Sequence, residues 1–141
     1  MRFIIDKDRP VLLTDLGAAF TDQAEHYRVE PSRKRNEGII LHRRHPVGDV
    51  TLNHPGDGLF DEEIEELIEF VDDAEETPDK DYVLDTLRGA RQIVAVQVLG
   101  GQAGIDALVP LWTWLSANRS GVLQADGQGY WDGEEFILEV S

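Results

Sequence analysis

Ile93-Val94-Ala95-Val96-Gln97-Val98-Leu99 constrains this chain more than any other segment. A single polar side chain interrupts a run that is otherwise aliphatic and largely β-branched. Such a run suits a central strand covered on its faces, and Gly100-Gly101 ends it. A strand of this kind needs other strands beside it, so an all-helical fold is excluded.

Partners for that strand are readable elsewhere. Phe3-Ile4-Ile5 is a short apolar strand, His26 to Glu30 alternates weakly, Ile39-Ile40-Leu41 begins another strand and Asp49 to Leu52 a further one. The C-terminus reads as a hairpin, with Val122 to Ala125 and Phe136 to Val140 joined through Asp126-Gly127 and Asp132-Gly133. Helical spacing appears in Pro10 to Asp22 and most clearly in Asp61 to Asp73, where Phe60, Ile64, Leu67, Ile68 and Val71 form one apolar stripe. Asp61 suits the N-cap of that helix. A shorter helix carries Val83, Leu84 and Leu87 and stops at Gly89. A further helix carries Ile105, Leu108, Leu111, Trp112 and Leu115 on one face, with Pro110 near its start. The order strand, helix, strand, strand thus occurs twice, around Phe3–Leu41 and around Ile93–Val140, without any repeat of the residues themselves. The expected fold is α+β: a single two-layer domain over residues 1–141. Its sheet is curved and mainly antiparallel, of about six or seven strands, with three or four helices on one side.

The charge is unevenly spread. Twenty-eight acidic residues against thirteen basic ones give a formal charge of −15. That exceeds the magnitude of roughly 2–8 that keeps a small domain soluble. It opposes binding to nucleic acid or anionic lipid and favours a basic partner. Between Asp61 and Asp85 there are thirteen acidic residues and one basic residue, Lys80, whereas Arg28 to Arg44 holds six basic and two acidic residues. On a helical wheel Glu62, Glu65, Glu66, Glu69 and Asp73 fall opposite the apolar stripe. A solvated helix face usually mixes signs and gains i,i+4 pairs, and this one has no lysine or arginine to pair with. These five carboxylates are therefore the candidate partner-binding residues. Trp114 joins them as an anchor, because it lies roughly 160–200° from most of its helix's apolar face. Trp112, Tyr130 and Trp131 read as core.

Catalytic motifs are absent: no phosphate loop, no dinucleotide glycine pattern, no nucleophile elbow and no zinc-protease helix. With no cysteine and no histidines at ligand spacing, neither a metal nor a cofactor is expected. The alternative site is His42-Arg43-Arg44-His45, where two histidines beside two arginines could serve a small enzyme or ligand-binding domain. In a continuous strand positions 42 and 45 point to opposite faces, so a solvated strand end is the preferred reading.

Leu111-Trp112-Thr113-Trp114-Leu115 followed by Ser120-Gly121-Val122-Leu123-Gln124-Ala125-Asp126-Gly127-Gln128-Gly129-Tyr130-Trp131-Asp132 resembles a pattern in small uncharacterised bacterial proteins. Some of these are grouped with immunity proteins of polymorphic-toxin and contact-dependent systems. The resemblance implies a cytoplasmic protein that binds and blocks a toxin, often a basic nuclease, and it carries over no functional residues. The combined expectation is a non-catalytic acidic protein-binding domain, cytoplasmic, without nucleic-acid or membrane contact. The oligomeric state, including a homodimer, stays open.

Overall fold

The computed structural model describes residues 1–140. β1 (Arg2–Asp6) and β5 (Ala90–Val98) lie side by side at the middle of one sheet. To one side run β4 (His45–Asn53), β3 (Glu37–His42) and β2 (Tyr27–Pro31); to the other run β6 (Gly121–Ala125), β7 (Gly129–Asp132) and β8 (Glu135–Glu139). All neighbours are antiparallel, in the order β2-β3-β4-β5-β1-β6-β7-β8. Four helical elements complete the described residues: a 3₁₀ helix (Leu13–Gln23), α1 (Gly58–Asp72), α2 (Pro78–Arg88) and α3 (Gly101–Asn118).

The α+β class and the curved antiparallel sheet are as the sequence indicates, with eight strands in place of about six or seven. The helices, however, cover both faces. Side chains alternate along β1 and β5, so Phe3, Ile5, Val94 and Val96 face the 3₁₀ helix and α3, where Leu16, Phe20, Leu108, Leu111 and Leu115 are buried. Ile4, Ile93 and Val122 face the other way, onto Phe60, Leu67 and Val71 of α1 and Val83, Leu84 and Leu87 of α2. A strand that is apolar on both faces needs cover on both, and one layer of helices cannot supply it.

Several boundaries also move. α1 begins a turn earlier than Asp61, because the Asp57 carboxylate accepts from the Phe60 N–H at 2.7 Å and caps the helix there. α3 begins at Gly101, behind a left-handed Gly100, so Pro110 lies inside it rather than near its start. The terminal hairpin is a three-strand meander, since Gly129–Asp132 pairs on both sides. The two strand-helix-strand-strand halves are not copies. After its helix the first half lays β2 at the sheet edge with β3 beside it, whereas the second places β6 directly beside β1.

Candidate functional site

Glu62, Glu65, Glu66, Glu69 and Asp73 are all exposed along and just beyond α1. Among the described residues none of the five has a basic partner within 4.0 Å. The one basic residue of this acidic stretch is turned inward. Lys80 is 3% exposed, and its Nζ donates to the carbonyl oxygens of Asp72 and Ala74 and to Glu76. It therefore neutralises the end of α1 instead of its outer face. Leu59 and Phe70, one at each end of the helix, are 65% and 52% exposed. At 100° per residue they share a stripe with Glu62, Glu66 and Asp73. The α1 face thus combines exposed apolar area with a carboxylate field.

Trp114 does not join this surface. It packs against the opposite core and lies 5.9 Å from the Arg119 guanidinium, beside the 3₁₀ helix. The sheet separates it from α1.

His42 and His45 come together where a continuous strand would have held them apart. β3 ends at His42, Arg43 and Arg44 form a two-residue turn with φ of 51° and 71°, and His45 opens β4 directly opposite His42. The His42 ring rests 4.6 Å from that of Tyr27. Burial, then the charges of Arg43, His26 and His45, hold its pKa below the ordinary histidine value. The result is a basic tip on the sheet at the β3–β4 turn.

A third feature has no signature in the sequence. β1 stops at its N-terminal end before its neighbours do, which run on to Val98 and Ala125. Met1 closes the pairing: its amine donates to the Val96 carbonyl at 3.0 Å, and the Val96 N–H donates to the Met1 carbonyl at 2.8 Å. Met1 thus lies at the mouth of a cleft lined by β5, β6 and α3. The cleft has a volume of about 1160 Å³. One wall is apolar, made by Ile105, Val109 and Trp112 of α3 with Leu123 and Trp131. Ile105, expected in the core, is 40% exposed here. The Trp112 indole nitrogen is the one buried side-chain polar atom without a hydrogen-bond partner among the described residues.

The other wall is polar. Asp49, Thr51, Gln97 and Glu63 line it around Arg2, whose guanidinium donates to Glu63 and, at 2.9 Å each, to Gln124 and Asp126. Burial opposes the Arg2 charge, but Glu63 and Asp126 together raise its pKa. The Gln124 amide and Arg2 hold Asp126 below the usual carboxylate range. Burial lowers the Met1 amine. Lining residues are drawn from points along the chain between Met1 and Glu134, which is why no local pattern announces the cleft. No cluster of three or more metal-ligating side chains occurs among the described residues.

No protein-family model, curated protein or solved structure matches this chain.

Proposed function

We propose that this chain is a binding domain that recognises a basic protein through the outer face of α1. One observation carries the proposal: among the described residues five exposed carboxylates stand without cations, while Lys80, the one basic residue of the acidic stretch, is buried at the end of the helix. Repulsion among like charges costs stability, and a basic partner removes that cost on binding. Leu59 and Phe70 supply apolar contact inside the charged field. Neutralisation of a basic toxin, which the resemblance of residues 111–132 implies, is one instance of such a role. A cytoplasmic setting and a non-catalytic function belong to the same proposal.

The test is comparative capture from a bacterial lysate on immobilised wild type and on Glu65→Lys/Glu69→Lys, with the bound proteins identified. Basic proteins held by wild type and lost by the variant support the proposal. Acidic proteins, or the same set on both surfaces, contradict it.

A further inference from the structure

We infer that the free edge of β2 is a strand-addition site for an extended segment of a partner protein in which acidic and aliphatic residues alternate. The site uses no residue of α1 and does not rest on the proposal above.

The hydrogen-bond ladder of β2 sets what this edge offers. β2 is the outermost strand on its side of the sheet and pairs with β3 alone. The Arg43 N–H donates to the His26 carbonyl at 2.7 Å, and the Ser32 N–H to the Glu37 carbonyl at 2.9 Å. In an antiparallel ladder every second pair exchanges hydrogen bonds. Arg28 and Glu30 therefore bond inward, to Leu41 and Ile39, while Tyr27, Val29 and Pro31 turn their peptide groups outward. Among the described residues no backbone group of another element pairs with those of Tyr27 or Val29. An added antiparallel strand finds its partners there.

The charge around the edge selects the occupant. Arg33, Lys34 and Arg35 stand at the Pro31 end of β2, Arg43 and Arg44 at the Tyr27 end, and all five are exposed. Among the described residues none of the five has a carboxylate within 4.0 Å. The chain holds 28 acidic residues against 13 basic ones, so the lack of pairing is not for want of acidic groups. Glu25 and Glu30 lie instead 3.5 Å from His26 and 3.8 Å from Arg28. The α1 carboxylates do not cancel this field. α1 packs on β5, and β3 and β4 stand between β5 and β2. At about 4.8 Å per strand that is roughly 14 Å, beyond the screening length of about 8 Å at physiological ionic strength. The opposite outer strand, β8, carries Glu135 and Glu139 and repels an acidic segment.

The two faces of the added strand differ as well. Residues opposite Tyr27 and Val29 extend an apolar face that packs into the core with Phe20 of the 3₁₀ helix, and these are aliphatic. Their neighbours fall on the Arg28 face and are acidic. Residues directly opposite the outward groups make the hydrogen bonds, so the aliphatic positions carry the ladder.

The experiment titrates the full chain, at physiological ionic strength, into fluorescein-labelled Asp-Val-Glu-Ile-Glu-Val amidated at its C-terminus, and reads anisotropy. Methylation of the amide nitrogens of Val, Ile and Val should weaken binding at least tenfold, and methylation of those of Asp, Glu and Glu less than threefold. The block-ordered peptide Asp-Glu-Glu-Val-Ile-Val should bind at least tenfold more weakly. Val29→Pro removes an outward N–H that β3 does not use and should weaken binding at least tenfold. Arg33→Gln/Lys34→Gln/Arg35→Gln, confined to an exposed turn, should weaken it at least fivefold. Glu65→Lys/Glu69→Lys should change it less than twofold. Equal effects of the two methylation patterns, edge variants that bind as wild type does, or no saturable binding would each overturn the inference. Sedimentation of the chain alone showing self-association that Val29→Pro abolishes would also overturn it, by assigning the edge to a second copy.

Discussion

Lys80 Nζ lies 2.9 Å from the carbonyl oxygen of Asp72, so the second helix caps the first from below. A further bond of 3.0 Å reaches Ala74, and Glu76 supplies the counter-charge at 2.8 Å. A cation at a helix C-terminus meets unpaired carbonyls and the negative end of the dipole together.

Replacing this cation tests its structural weight. Lys80→Met keeps most of the buried stem and leaves the two carbonyls without donors, which should cost about 2–3 kcal/mol. Glu76→Gln, on a side chain 83% exposed, should cost far less. Urea unfolding of both variants checks the contrast; equal losses would show that the Glu76 pair, not the carbonyl capping, holds Lys80.

Arg43 and Arg44 occupy a turn whose positive φ values favour asparagine and glycine. A left-handed conformation costs a non-glycine residue roughly 1–2 kcal/mol. Arg43→Asn/Arg44→Gly should therefore raise stability by about 1 kcal/mol or more, measured by denaturant midpoint. A lower midpoint would mean that the arginine side chains stabilise the tip by contacts that outweigh the strain.

His42 predicts a pH dependence. Its folded pKa is lowered by burial and by Arg43, His26 and His45, so the unfolded chain binds its proton more readily. Its contribution to stability is present above about pH 6.5, the unfolded value, and is lost as pH falls through the lower folded value. His42→Gln should flatten the stability profile between pH 7 and 5. An unchanged slope would assign the acid sensitivity to other groups.

Val96 is 2% exposed and packs with Phe3 and Leu108 in the core between the sheet and α3. Val96→Asp places a carboxylate there without a partner and should destabilise by about 3–5 kcal/mol. Thermal unfolding with an unchanged midpoint would remove β5 from the centre of the fold.

How much of this was legible follows from the range of the interactions. β5 and α1 carry their own periodicity, and the exposure of the α1 carboxylates follows from it. Lys80 reads as one stray cation, since its partners are backbone atoms at the end of another helix. The meeting of His42 with His45 depends on two consecutive arginines accepting positive φ, which residue preferences oppose. Helices on both faces are implied by the apolar continuity of β5, but which helix takes which face is a tertiary choice. The same choice separates Trp114 from α1. The cleft lies between β1 and strands that begin about 90 and 120 residues later, a relation no sequence window contains.

The most direct test of the acidic helix as a recruiting surface is an association rate. Once a partner has been captured, its binding to wild type and to Glu65→Lys/Glu69→Lys should be followed over a salt series. Complementary charge acts mainly on encounter and is screened over about 8 Å at physiological ionic strength. The wild-type association rate should therefore fall steeply with salt. The variant should associate at least tenfold more slowly at low salt, with a smaller change in dissociation. A partner that is itself acidic, or association rates indifferent to both salt and substitution, would contradict the account and leave the α1 face as ordinary solvated surface.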